Sequence, residues 1–266
     1  MIQALKTINW KAFALLLVAG LLGVLAVLPL MLDLIGSGAF GQAPAPDIPV
    51  PLLVAATLLQ NGVLLAVVIL VGMILSARIG LQMPLISAWA SGGRRPNLKA
   101  IALPGILVGA ATGAALVAME ALFFLRQLPP ALVPLFEIPL WKRLLAGVLY
   151  GGITEELLTR LFLVSLLAWL LGKFLKTPEG MPTSGAFWGA IVLVAILFGL
   201  GHLPVTAAIT PLTPMLVARA LVLNGVAGVA FGYLYWRHGL EAAMLGHMSA
   251  HLVMQVPGVM LLRSML

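Results

Sequence analysis

Three short stretches of the sequence bring acids, bases and a cation together in apolar surroundings. They are Thr154-Glu155-Glu156-Leu157-Leu158-Thr159-Arg160, Phe198-Gly199-Leu200-Gly201-His202 and His247-Met248-Ser249-Ala250-His251. Adjacent residues on a helix point about 100° apart, so Glu155 and Glu156 cannot do the same job. Glu156 and Arg160 stand four apart with the acid N-terminal, the better order for an ion pair. Glu155 is left facing elsewhere, and a carboxylate beside histidines suits a general base. Phe198 and His202 share a helix face, and the glycines between them let a neighbouring helix approach. His247 and His251 present both rings on one face, the spacing that helical metal ligands use. The pattern is not that of a zincin, because Met248 stands where the catalytic glutamate would be.

Each stretch also has a plainer reading. The two acids could serve only to neutralise Arg160 and Arg219, His202 could be a satisfied interfacial histidine, and His247 and His251 could simply pack between helices. Taken together the three argue for a site. A charge at the centre of a bilayer costs about 2.5–3.5 kcal/mol, so ionisable residues there pair or line a wet cavity. All but one of the histidines fall on two apolar segments, and a third carries Glu-Glu-x-x-x-Arg. Glu120 stands apart on a further segment.

The solvent for most of the chain is lipid. Of 266 residues, 62% are hydrophobic and 9% charged, against about 25% charged in soluble domains. Mean hydropathy is +1.14. Apolar runs reach the 18 or so residues that a bilayer span needs, which a greasy soluble α/β protein would not require. The expected fold is an all-α polytopic transmembrane bundle of about seven spans, with six to eight as the range. They fall near Ala12–Leu32, Val50–Leu75, Ile101–Phe124, Arg143–Leu171, Ala186–Leu203, Leu212–Trp236 and Leu240–Val256. Residues 1–140 form N-terminal helices, 141–256 the segment that carries the motifs, and 257–266 a short tail, readable as an eighth or interfacial segment. The proline-broken stretch Leu128–Trp141 reads as re-entrant.

The first span follows Lys6 and Lys11 but is longer than the core of a signal peptide, so it reads as a permanent anchor. A net charge of +7 would suggest nucleic acid in a soluble protein. Here the cations cluster between apolar runs, so membrane orientation explains them and no nucleic-acid partner is expected. With the N-terminus in the cytoplasm, that side collects Lys6, Lys11, Arg78, Arg94, Arg95, Lys99, Lys173, Lys176 and Arg237. The other side collects Arg126, Lys142, Arg143 and Arg263, so the positive-inside rule favours a cytoplasmic N-terminus. The chain has no cysteine, which removes disulfides, thiolate metal sites and a cysteine nucleophile. Its serines form no Gly-x-Ser-x-Gly elbow. Gly228 and Gly232 read as a packing face, Trp236 and Arg237 as an interfacial anchor, and Asn224 as either a cavity residue or an interhelical hydrogen bond.

At the three motifs the sequence resembles the CAAX protease and bacteriocin-processing family, membrane endopeptidases that include the type II CAAX prenyl endopeptidase and the bacterial Abi-type proteins. That family shows Glu-Glu-x-x-x-Arg, then Phe-x-x-x-His, then His-x-x-x-Asn or a variant. The lead-in from Phe231 to Ala242 is also similar to the family's stretch before the last histidine, and the resemblance covers about residues 140–256. His251 departs from it, standing where the prenyl endopeptidase has asparagine.

The resemblance implies an intramembrane endopeptidase. Glu155 activates a water, His202 helps to hold it, and His247 and His251 stabilise the oxyanion. Glu156 and Arg160 support the helix and aim Glu155. With histidine at 251 a second version is open, in which His202, His247, His251 and Glu155 bind Zn²⁺. The implied substrate is a membrane-associated protein or peptide, with CAAX tails as the family's eukaryotic case. A multi-pass protein of a bacterial inner membrane is the expected setting. The competing class is a non-catalytic scaffold or bacteriocin-immunity protein that keeps the fold. A coupled transporter would spread its charges over both halves of the chain, and these lie almost wholly in the second. Haem held by the histidines of spans five and seven is a further alternative.

Overall fold

The computed structural model describes residues 8–36, 49–94 and 96–266. Lys6 and Arg95 of the charge count lie outside them. Among the described residues the fold is all-α. Helices α1 (Trp10–Gly36), α2 (Val50–Arg78) and α4 (Leu98–Gln127) come from the first half, with the short α3 (Pro84–Ser91) between α2 and α4. The helical run α5 (residues 140–171) follows, then α6 (Ser184–Gly201), α7 (Leu203–Ile209), α8 (Pro214–His238) and α9 (Leu240–Arg263).

Six of these stretches are long and apolar enough to cross a membrane: α1, α2, α4, α6 with α7, α8 and α9. The six fall within the expected range of six to eight; α5, expected as a further span and carrying Glu155, Glu156 and Arg160, packs among them as a broken helical run. Their outer faces are as apolar as their inner ones. On α1, Leu15, Val18, Leu22 and Leu25 are exposed, while Ala12, Leu16, Gly20 and Val24 are buried. A helix that is hydrophobic all round belongs in lipid.

The ends depart from the expected boundaries for local reasons. Leu128–Trp141 contains a 3-10 helix, Pro130–Glu137, whose prolines deny the chain regular α-helical bonding. Residues 257–263 continue the helix begun at Leu240, through a π-helical turn, Met254–Gly258, that absorbs Pro257. Most of α5 is itself π-helical, over Leu145–Glu155 and Leu157–Val164. Such i→i+5 bonding is rare and collects at functional sites.

Small residues set the packing, since lipid gives no hydrophobic drive for helices to associate. Along α4, Gly105, Gly109 and Gly113 lie on the backbone of α9 at Ala242, Gly246 and Ala250. A methyl at Gly113 would stand 2.6 Å from the Ala250 carbonyl oxygen, and one at Gly109 would be closer still to Gly246. On the other side of the bundle, Gly228 of α8 packs on Ala195 of α6, and Gly232 on Ile191. α5 runs between these pairs. Thr154 donates to the Gly20 carbonyl of α1 at 2.8 Å, and Gly72 of α2 packs on Leu161.

Candidate active site

α5 brings its polar face to α9 by presenting glycine there. Gly147 lies against the ring of His251, and Gly152 against Met248. A methyl at Gly151 would stand 3.0 Å from His251 Nε2 and 3.2 Å from His247 Nε2. The two imidazoles therefore rest on bare α5 backbone, one to two helical turns before Glu155 and Glu156.

Glu156 is fully buried and its Oε1 serves two partners. It lies 2.9 Å from Arg160 Nη1 and 2.8 Å from His247 Nδ1. A carboxylate can only accept, so Nδ1 of His247 carries a proton and donates it. That leaves His247 Nε2 pointing away from Glu156, 3.8 Å from Glu155 Oε2. The distance is too long for a direct hydrogen bond and suits a water between the two. Glu155 keeps part of its side chain accessible, 19% against 0% for Glu156. The adjacent acids thus point to different partners, as neighbouring helical residues do.

Arg160 is held through both of its terminal nitrogens, while its buried Nε has no hydrogen-bond partner. It donates to Thr159 Oγ1 at 2.7 Å and to the Gly228 carbonyl of α8 at 3.2 Å. Its guanidinium stands over the rings of Phe198 and Phe231, 5.3 and 5.5 Å from their centroids. Phe231 stacks on His247 at 4.7 Å, and His247 stacks in turn on His251 at 5.0 Å and 16°. Phe198 meets His202 edge-on at 4.7 Å and His247 at 6.2 Å. His202 caps the end of α6, and its Nδ1 donates to the Phe198 carbonyl at 2.8 Å, which leaves Nε2 free. His251 Nδ1 is buried with no hydrogen-bond partner.

The structure thus gathers Glu155, Glu156, Arg160, His247 and His251 directly and ties His202 to them through Phe198. The expected Glu156–Arg160 pair is present. Glu156 does more than support the helix, because it grips a histidine, a contact that spacing along one helix cannot reveal. Phe231 and the glycines 147 and 151 also come into the site. The pattern Gly-x-x-x-Gly from 147 to 151 was their signal in the sequence. Glu120 is corrected: it is not isolated but receives Arg219 Nε at 2.8 and 3.1 Å on its two oxygens. That pair joins α4 to α8, so Arg219 is not a burden on Glu155 or Glu156.

Among the described residues no three His, Asp or Glu side chains are grouped so as to hold one metal ion. In this arrangement His247 offers only Nε2 to a ligand, because Nδ1 is held by Glu156.

The fold and site are those of a polytopic helix bundle with a buried glutamate–arginine–histidine cluster beside an accessible glutamate. Residues 137–253 match the model of the family Type II CAAX prenyl endopeptidase Rce1-like, a protease family, and all three motifs lie in that stretch. No curated protein and no solved structure matches the chain.

Proposed function

We propose that the protein is an intramembrane endopeptidase in which Glu155 is the general base. The observation that carries this reading is His247, held at Nδ1 by Glu156 while Nε2 faces Glu155 Oε2 at 3.8 Å. A water bound between those two atoms loses its proton to Glu155, and its oxygen attacks the scissile carbonyl carbon. His251 has no acceptor at buried Nδ1. A buried donor left unpaired is costly, so its proton belongs on Nε2, which lies beside Gly151 near His247 Nε2. From there it donates to the developing oxyanion. Collapse of the tetrahedral intermediate expels the amine, which takes the proton from Glu155. His202, with Nε2 free, orders the water or the substrate carbonyl.

The substrate is a membrane-associated protein or peptide, with a CAAX-type tail as the first choice from the family. The site sits within spans, so the substrate must reach it from the bilayer or its surface. A cytoplasmic N-terminus and a bacterial inner membrane belong to the same proposal.

The test is cleavage of a quenched peptide library by detergent-purified protein and by Glu155→Gln, with bound metal measured by mass spectrometry. Metal-free, chelator-resistant cleavage that needs Glu155 supports the water mechanism. Stoichiometric zinc with chelator-sensitive cleavage would replace it with metal catalysis on re-oriented histidines. Cleavage by neither protein, alongside a cellular phenotype that Glu155→Gln retains, would assign the fold to a scaffold or immunity role.

A further inference from the structure

At the far end of α5 from the glutamates, three cations converge on one cavity of about 330 Å³. Arg78 ends α2, Lys173 follows α5, and Lys176 begins the loop to α6; Trp169, Gly172 and Pro182 complete the walls. The cavity lies some 17 residues beyond Glu155, on the order of 25 Å along the helix, and is distinct from the candidate active site. Among the described residues none of these cations has an ion pair with an acid. Three like charges around one hollow repel each other unless an anion sits between them.

The three cations are exposed at the rim, and the backbone that carries them is fixed. The loop is closed on itself: Thr177 N donates to Met181 O at 2.7 Å, and Thr183 N to Leu175 O at 2.8 Å. Gly180 makes the reversal with φ +83°, a conformation that a side chain would resist. Lys173 lies over the Trp169 ring at 4.3 Å. The positive-inside rule asks only for cations on one side of the membrane. It does not ask that three share a cavity.

A second cavity adjoins it through Arg78 and runs one turn deeper along α2, past Met73 and Ile74, under Leu81 and Met83. A cationic pocket at a helix end, continued by a mostly apolar cleft that Asn9, Ser76, Gln82 and Ser87 also line, suits an amphiphile. We propose that Arg78, Lys173 and Lys176 bind the phosphate of an anionic phospholipid, with an acyl chain along Met73 and Ile74. Basic pockets between transmembrane helices suit such headgroups.

The test uses the full chain in detergent, titrated with phosphatidylglycerol, phosphatidylcholine or inorganic phosphate, and read by native mass spectrometry and thermal unfolding. Phosphatidylglycerol should bind and raise Tm, and phosphatidylcholine and phosphate should not. Each cation contributes roughly fivefold in affinity, so R78Q/K173Q/K176Q should bind phosphatidylglycerol on the order of 100-fold more weakly. R94Q/K99Q, with cations lost outside the cavity, should bind as the wild type does. The single variant Lys176→Gln, on the exposed loop, carries the test if the triple variant does not fold. Equal binding of phosphatidylcholine would overturn the charge recognition. Equal protection by phosphate would reassign the hollow to a free anion. Equal losses in the control variant would reduce the effect to surface potential.

Discussion

Glu156 and His247 are 91 positions apart in the chain and 2.8 Å apart in the fold. The same glutamate oxygen faces Arg160 at 2.9 Å. One buried carboxylate thus fixes both the arginine that ties α5 to α8 and the imidazole that faces Glu155. Removing it strands two polar groups. Glu156→Ala should cost about 3–5 kcal/mol of stability, the penalty for breaking a buried ion pair from one side. Glu156→Gln keeps one acceptor and should fold. Its kcat should fall more than tenfold with KM little changed, because the loss is in imidazole orientation and not in substrate binding. Steady-state kinetics beside a thermal melt separate the two effects.

Glu155 has the opposite character. Its carboxylate is partly accessible and makes no ion pair closer than the 3.8 Å approach to His247. Glu155→Gln should therefore leave stability within about 0.5 kcal/mol of wild type. Loss of the general base should lower activity by about 10²–10⁴-fold. A melt that drops together with activity would make Glu155 a structural residue.

Two glycines that look alike in the sequence should behave differently. At Gly151 an added methyl meets only ring atoms of His251 and His247, the nearest being their Nε2 atoms at 3.0 and 3.2 Å. These are side-chain ring ends that can shift by a few tenths of an ångström, so Gly151→Ala should lose less Tm than Gly109→Ala and lose about 10–100-fold in activity as the rings leave register. At Gly109 the methyl meets the Gly246 backbone, which cannot turn aside. Gly109→Ala should destabilise by about 1–3 kcal/mol, measured as loss of Tm, with residual activity in proportion to the folded fraction.

Glu120 and Arg219 offer a control inside the same bilayer. The arginine side chain is 32% exposed and the glutamate 5%, so screening discounts their attraction. A double-mutant cycle with Glu120→Gln and Arg219→Gln should give a coupling of about 0.5–3 kcal/mol. Neither substitution should change kcat in the folded protein. A kcat that falls in Arg219→Gln at unchanged Tm would bring Arg219 into the catalytic machinery.

The chemistry of the site was legible where it is local. Glu156 and Arg160 pair because i,i+4 side chains on one helix must meet, and His247 and His251 stack for the same reason. The separation of Glu155 from Glu156 follows from helical angle alone. Seven apolar runs in a chain with 9% charge could only be spans, because lipid accepts no other packing of such a sequence. The links between helices were not legible. Nothing in the order of residues states that Glu120 faces Arg219, or that Gly109 rests on Gly246.

The sequence by itself determined that the protein lives in a membrane as a helix bundle and which residues are dear enough there to need a purpose. Both follow from solvation, a property each segment carries with it. Only the tertiary structure decided that Glu156 holds His247, that Phe198 carries His202 to the cluster, and that bare backbone at Gly147 and Gly151 seats two imidazoles. These depend on the rotation and depth at which α5, α6 and α9 meet. Small residues spread over several spans set those values jointly, and no single segment encodes them.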